Sequence, residues 1–213
     1  CGSSTTWNGA NWSNGNPNDT KKAVIAGNYS GISVSACELQ IKSNVTVNVG
    51  TDTYIQVVSG IVNNGTLVLE NTASLIQIEN DATYTGNAIT VKKITTPMKR
   101  YDFTYWSSPV IGYTLQALSP DTLGDKYYSY NPITGWTIHY NGTATMTPGT
   151  GYIVRAPQSY SITDPQVFST KFVGIPNTGN ITQPIVANAS NLIGNPYPSA
   201  ISADAIFNAN SSV

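Results

Sequence analysis

The sequence predicts an all-β protein in two parts, a short β-solenoid-like segment followed by a jelly-roll-like β-sandwich, with one short helix near the C-terminus. Three observations support this prediction. Short apolar alternations recur, turn-forming Gly, Asn and Pro residues separate them, and no long helical periodicity intervenes. With 213 residues, of which 40% are hydrophobic, the chain is long enough to bury a sizeable core.

Residues 1–95 are predicted to form the solenoid-like part. Alternating apolar residues indicate short strands with one buried face, at Val24/Ala26, Leu39/Ile41, Val45/Val47/Val49, Ile55/Val57, Leu67/Leu69, Leu75, Ile76/Ile78 and Ile89/Val91. Close turns join them, as in coils that stack on one another and are unstable alone. A meandering antiparallel sandwich is the alternative, because the spacing is irregular.

Trp7 and Trp12 precede these strands and lie next to Asn-Gly turns. Two interpretations are open: the rings form a sugar-stacking surface, or they cover the open end of the solenoid. The sequence favours the cap, because the end of a stack of strands exposes unpaired backbone unless something covers it.

Residues 96–213 are predicted to form the sandwich, which is expected to be incomplete at its C-terminus. All prolines except Pro17 lie from Pro97 onward, and short aromatic strands alternate with turns such as "NPITG" and "TPGTG". Such spacing is typical of a β-sandwich.

The segment "NLIGNPYPSAI" (191–201) is predicted to be a rigid corner, with Leu192 and Ile193 buried. A helix is expected over 199–209, with Ser199 as its N-cap. No closing strand follows, so we expect the chain to be a fragment of a longer polypeptide or to continue in disorder.

The composition excludes several classes of function. Only 10% of residues are charged and the net charge is −1, so no long-range field attracts nucleic acid or an anionic membrane. No apolar run is long enough to predict a membrane span. The abundance of Thr, Asn, Gly and Tyr suits exposed β-structure and is common in secreted proteins.

Cys1 and Cys37 are the cysteines of the chain. Three states are open: a disulfide formed in an oxidising compartment, a lipidated Cys1, or two unrelated thiols. Together with one histidine, these cysteines cannot supply the four ligands of a closed zinc site.

No catalytic residue is predicted, and a glycan-active enzyme is the less favoured alternative. The single histidine, His139, is expected at a solvent-facing strand position, and no Gly-x-Ser-x-Gly motif is present. The spacing of Asp102, Asp121, Asp125 and Asp164 does not indicate a catalytic pair. No cofactor is predicted, although a calcium site built from loop carboxylates such as Asp121 and Asp125 is left open.

Aromatic residues are the candidate ligand-binding groups. Tyr101, Phe103 and Tyr105 alternate onto one face of a strand, and Trp106 falls on the other. Flat rings with nearby amide and hydroxyl donors are typical of sugar-binding surfaces, but the core and margins of a sandwich also need aromatic side chains. The candidate ligand-binding residues are Trp106, Trp136, Tyr128 and Tyr197.

Five phrases of the sequence, taken together and in this order, resemble a known family. They are "TTWNGANWSNG" (5–15), "SACELQI" (35–41), "TTPMKRYDFTYWSSPV" (95–110), "MTPGTGYIVRAP" (146–157) and "NLIGNPYPSAI" (191–201). The chain resembles the large secreted, adhesin-like cell-surface proteins of Bacteroidetes that the type IX secretion system exports.

This resemblance implies a secreted protein, or one on the outer face of a bacterial outer membrane, with the secretion machinery, surface glycans or other cell-surface proteins as partners. It offers no catalytic residues. If the chain begins just after a signal peptide, as the resemblance suggests, a Cys1–Cys37 disulfide would pin the first segment to the solenoid, and the three states of Cys1 stay open. We therefore expect a non-enzymatic surface protein for attachment or surface-layer interactions. The alternative is a carbohydrate-binding module of a secreted polysaccharide-degrading protein.

Overall fold

The computed structural model describes residues 1–211 and is nearly all β, with a β-solenoid of about 4 turns and a short helix near the C-terminus. This confirms the predicted class. The chain divides into two compact units. The first comprises Cys1–Lys93, Lys171–Asn180 and Tyr197–Ser199, and the second comprises Ile94–Thr170, Ile181–Pro196 and the residues from Ala200 onward. Two segments from the second half of the sequence thus belong to the first unit, which no local pattern indicated.

The elements of the two units are as follows. The strands are β1 (Ser3–Trp7), β2 (Lys21–Ile25), β3 (Tyr29–Ser30), β4 (Val34–Ala36), β5 (Leu39–Ile41), β6 (Thr46–Val49), β7 (Tyr54–Val57), β8 (Ile61–Asn63), β9 (Thr66–Leu69), β10 (Ser74–Gln77), β11 (Tyr84–Gly86), β12 (Ile89–Ile94), β13 (Phe103–Trp106), β14 (Tyr127–Asn131), β15 (Gly135–Ile138), β16 (Tyr152–Arg155) and β17 (Ser169–Gly174). The helices are α1 (Leu115–Leu118), the 3-10 helix η1 (Tyr140–Gly142) and α2 (Ala203–Ala209).

Three sheets form the solenoid. Their strand orders are β1-β2-β5-β8-β11, β10-β7-β4 and β17-β12-β9-β6-β3, so each new coil adds strands to the same sheets. The strands of successive coils pair in parallel. This topology decides between the two interpretations of the first part of the chain in favour of the solenoid.

Inward-facing apolar side chains stack from coil to coil. In one stack Leu39 lies between Ala23 and Ile61, and in another Val47 lies beside Leu67. These side chains are at most 1% exposed. Burying a Val, Leu or Ile side chain stabilises a fold by about 1.5–3 kcal/mol, so such stacks supply most of the core energy of the solenoid.

One predicted alternation is out of register with the core. Ala23 and Ile25 are fully buried, whereas Val24 and Ala26, predicted to face inward, lie nearer the surface. The stretch "KKAVIAG" has apolar residues at both parities, so alternation alone could not decide its inward face. For the same reason Ile78 was predicted to face the core, whereas it is 51% exposed.

Trp7 and Trp12 cluster with Tyr29 beside the terminal strand β1. The ring centroids lie 5.6 Å apart for the two indoles and 5.2 Å apart for Trp7 and Tyr29. The Trp7 indole N–H donates to the Asn28 carbonyl at 3.0 Å. Both indoles are half-buried in these contacts, beside the edge strand where the cap was predicted.

Cys1 and Cys37 form a disulfide, which is one of the three states that the sequence left open. Cys37 lies between β4 and β5, where its backbone N–H donates to the Lys21 carbonyl at 2.9 Å. The bond therefore ties Cys1 to the junction of the first two coils, and it excludes free thiols and a lipid on the Cys1 sulfur.

The second unit contains a four-stranded antiparallel sheet in the order β13-β16-β14-β15. Among residues 1–211, this sheet is the part of the predicted sandwich that is present. Loops, α1 and η1 flank it, where the prediction placed a second sheet. The sequence did not predict α1, a single turn whose N-cap is Thr114, and the Thr114 hydroxyl accepts the Ala117 N–H at 3.1 Å. Recurrent prolines keep the flanking segments out of a ladder, because proline has no N–H to donate.

The corner at residues 191–201 differs in detail from the prediction. Ile193, expected to be buried, is 50% exposed, and its backbone forms an isolated bridge with Thr150. Gly194 is required by close packing, because a Cβ there would lie only 2.4 Å from that of Ser107.

Helix α2 begins at Ala203, four residues after the predicted start at 199, and its N-cap is Ser202 in place of Ser199. The Ser202 hydroxyl accepts the Ala205 N–H at 3.2 Å. The Pro198 carbonyl accepts the Leu75 N–H at 2.7 Å, which keeps the chain before Ser199 extended. None of the helices found within residues 1–211 has the length and apolar character needed to span a membrane.

We expect loss of the disulfide to destabilise the first unit. The bond spans a sequence separation of 36 residues, and the chain-entropy model gives about 4 kcal/mol for a loop of this size. The Cys1→Ser/Cys37→Ser variant should therefore melt at a lower temperature by circular dichroism, and reductant should bring the wild type to the same value. A double variant that melts with the oxidised wild type would contradict this expectation.

Candidate functional site

The register of the four-stranded sheet sorts its side chains onto two faces. Tyr127 pairs with Val154 and Ser129 pairs with Tyr152, so these four side chains share one face. Tyr127, Tyr152 and Val154 are at most 3% exposed. The Tyr127 hydroxyl donates to the Ser119 carbonyl at 2.6 Å, which satisfies its buried polar end. This is the covered face of the sheet.

The opposite face is exposed and rich in rings, and we call it the aromatic face. It consists of Phe103, Tyr105, Tyr128, Tyr130, Trp136, Ile138, Ile153 and Arg155. Tyr105 is 68% exposed, Trp136 48% and Phe103 41%. A contiguous exposed patch of large apolar side chains on a folded protein marks a surface for binding.

Neighbouring rings of the aromatic face pack edge to face. The ring centroids lie 5.9 Å apart for Phe103 and Tyr128, 6.4 Å for Tyr128 and Trp136, and 5.0 Å for Trp136 and Tyr130. Such packing holds each ring in a defined orientation. The row runs from β13 to β15, a width of about 14 Å at the usual strand spacing.

Arg155 lies at one end of the aromatic face and carries a buried charge. It is 7% exposed, its guanidinium lies 5.7 Å from the centroid of the Tyr101 ring, and it donates to the Gln158 side-chain oxygen. No carboxylate among residues 1–211 forms a salt bridge with it, and its Nε is buried without a partner. The cation–π contact with Tyr101 therefore stabilises a charge that has no ionic partner.

The neighbouring charges are paired with each other. The Nζ of Lys126 lies 2.7 Å from the Oδ2 of Asp125. The hydrogen bond from Lys126 lowers the pKa of Asp125, and the same bond raises the pKa of Lys126. Both groups stay charged at neutral pH, so they form an ion pair with no net charge.

His139 is partly buried on the covered side of the sheet, which corrects the predicted solvent-facing position. Its Nε2 lies 2.8 Å from the Ser129 hydroxyl, and its ring centroid lies 6.0 Å from that of Tyr152. Burial lowers the pKa of His139 below its usual value. The prediction was wrong because it assumed that the polar side of the strand faces solvent, whereas the aromatic side does.

The structure brings together two of the four predicted ligand-binding residues. Tyr128 and Trp136 contact each other on the aromatic face. Trp106 lies on the other face of the sheet, with its ring centroid 6.0 Å from that of Phe168. Tyr197 belongs to the first unit, where its hydroxyl donates to the Gly179 carbonyl at 2.6 Å.

Sequence reasoning missed Tyr130 and Arg155 as members of this surface. The register confirms that Phe103 and Tyr105 share a face opposite to Trp106, as their alternation indicated. Tyr130 lies in "KYYSYNP", which has tyrosines at both parities and so gives no signal of which side is exposed. Arg155 is a single cation at the end of the apolar strand β16, and its cation–π contact is with Tyr101, which is far away in the sequence.

The candidate carboxylates of the second unit make local contacts. The Asp102 carboxylate accepts the Lys99 N–H at 2.7 Å, and the Asp164 carboxylate accepts the Thr163 hydroxyl at 2.8 Å. Asp125 is held in its ion pair with the neighbouring lysine. Across residues 1–211, no group of three or more His, Cys, Asp and Glu side chains is arranged to hold a metal ion.

Comparison with known proteins places the whole sequence in one family. Residues 1–213 match the family described as "Domain of unknown function (DUF8693)", so the match covers both units. No curated protein and no solved structure matches the chain.

We expect the stability of the protein to fall as the pH is lowered from about 7 to 5. The folded-state pKa of His139 is lowered, so the unfolded chain binds more protons in this range and stability rises with pH. Because the chain has one histidine, His139→Gln should remove most of this dependence in thermal melts at the two pH values. An unchanged pH dependence in the variant would show that other groups cause it.

Proposed function

The chain belongs to the DUF8693 family, and we propose that it is a non-enzymatic extracellular surface protein that attaches to glycans through the aromatic face. The observation that carries this proposal is the row of fixed, exposed rings that includes Phe103, Tyr128 and Trp136. A sheet in a folded domain usually covers its large apolar side chains, so rings left exposed on one whole face point to a binding role.

The chemistry of the aromatic face fits a sugar chain. A pyranose ring presents C–H groups on its flat sides, which pack on aromatic rings, and hydroxyl groups at its rim, which need hydrogen-bond partners. The face supplies both kinds of group, since Tyr105 and Tyr130 carry hydroxyls and Trp136 carries an indole N–H.

Two further observations support a non-enzymatic role outside the cell. The aromatic face contains no carboxylate or imidazole, which are the usual groups for acid–base chemistry at neutral pH. The Cys1–Cys37 disulfide is typical of oxidising compartments. Export by the type IX system and display on the outer membrane are part of the proposal, and they rest on the sequence resemblance.

A carbohydrate-binding module of a polysaccharide-degrading protein is the second candidate. The aromatic face supports it equally, because the same rings would hold a polysaccharide next to a catalytic domain. The two candidates differ in the domains they would accompany in a longer polypeptide: adhesion repeats and a sorting domain would favour attachment, and a hydrolase domain would favour the module.

The test is binding to a glycan array and to soluble polysaccharides, for the wild type and for Trp136→Ala. Removing this ring should weaken glycan binding by about tenfold, because a stacking contact of about 1.4 kcal/mol corresponds to that factor. The melting temperature should change little, since Trp136 is 48% exposed.

Tyr54→Ala is the matched control, since Tyr54 is a 40% exposed aromatic residue of the first unit. This variant should bind glycans as the wild type does. Absence of binding to every glycan would contradict the proposal, and equal losses in both variants would show that the aromatic face is not the site. Binding to cell-surface proteins alone would replace the glycan by a protein partner.

A further inference from the structure

A polar cleft of about 160 Å³ lies in the first unit. The edge strand β10 forms one side of it, and the returning segments 177–180 and 197–199 form the other. Every residue that lines the cleft belongs to the first unit. The cleft is therefore a feature of the solenoid and shares no residue with the aromatic face.

The walls of the cleft are fixed by specific contacts. The Leu75 N–H donates to the Pro198 carbonyl at 2.7 Å, and the Tyr197 hydroxyl donates to the Gly179 carbonyl at 2.6 Å. Gly179 has a φ of +74°, and a Cβ there would lie 2.6 Å from the Asn80 carbonyl oxygen. Because only glycine fits at this position, the close approach of the two segments is built into the sequence and the cleft is pre-formed.

Three polar side chains of the cleft are available to a ligand. Glu79, Asn80 and Asn180 are exposed, and none of their side chains makes a hydrogen bond or ion pair with another residue in the described range 1–211. The Gln77 amide donates to the Thr83 carbonyl at 3.1 Å, and its side-chain oxygen is left to accept. Amide groups both donate and accept, which is the pattern that the hydroxyl groups of a sugar require.

The size and charge of the cleft restrict its ligand. A dry cavity of about 150 Å³ accepts one benzene ring, so this volume fits a single six-membered ring. Amide and hydroxyl walls favour a ring that carries hydroxyl groups over an apolar one. Glu79 is the charged residue of the lining, so an anionic ring would be repelled.

We propose that this cleft binds one neutral pyranose residue, such as the end or a branch of a glycan. The rings of the aromatic face can hold several units of a chain side by side, whereas the cleft has room for one. This site uses different residues and does not rest on the proposed function of the aromatic face.

The test is ligand-observed NMR of the full chain with the methyl glycosides of glucose, galactose and mannose, and with glucuronate as the anionic probe. We expect at least one neutral glycoside to bind with a Kd of about 1–10 mM. Asn80→Ala/Asn180→Ala should weaken that binding by about tenfold, because it removes hydrogen bonds that only the ligand makes. Glucuronate should bind more weakly than the neutral glycoside, and Glu79→Gln should reduce the difference.

Two controls separate this proposal from the previous one. Asn16→Ala changes an exposed Asn of the first unit outside the cleft, and it should bind the glycoside as the wild type does. Trp136→Ala, which reports on the aromatic face, should also leave this binding unchanged. Absence of any glycoside signal, or binding that survives Asn80→Ala/Asn180→Ala, would overturn the proposal. Loss in the Trp136 variant would assign the glycoside to the aromatic face.

Discussion

Parallel pairing of successive coils is the constraint on which the first unit depends. No coil buries its own inward side chains: Leu39 is covered only because Ala23 and Ile61 occupy the same position in the coils on either side. Backbone pairing and apolar burial are therefore one event, and a slip of one residue would turn a whole stack outward. The buried side chain of Asn63 also depends on this register, because its hydrogen-bond partners lie in the next coil or in the turn that follows β8. These partners are the Tyr84 hydroxyl, the Asn87 carbonyl and the Gly65 N–H.

The class of the fold could be predicted because alternation and close turns are local signals. Where apolar residues occupy both parities, as around Ile25, the inward face is chosen by the neighbouring coil, which the sequence of the strand does not contain. The returning segments were beyond prediction for a related reason. They belong to the first unit through long-range contacts, namely the pairing of β17 with β12, the Leu75 N–H with the Pro198 carbonyl, and the close approach of Gly179 to Asn80.

At the candidate site, too, the local sequence does not show which side chains are buried, and one pair of tyrosines illustrates this. Tyr127 and Tyr128 are adjacent and chemically identical, yet the first is 1% exposed and the second lies on the aromatic face. Composition indicated that aromatic side chains matter, but only the pairing of β14 with β16 separates those of the core from those of the surface. The misplacement of His139 has this cause, since it was assigned without knowing which side of the sheet is covered, and the same pairing places Trp106 on the covered face.

The disulfide also determines how the solenoid bears mechanical load. Stacked coils that contact only their neighbours can peel off one at a time from an end under tension. A pull applied at Cys1 passes through the sulfur–sulfur bond directly to Cys37, so β1 to β4 and the tryptophan cluster carry no load. Reduction would expose these 36 residues to the load, and their unfolding would lengthen the chain by up to about 120 Å at roughly 3.4 Å per residue. The redox state of a single bond thus sets both the tether length and the point at which unravelling begins.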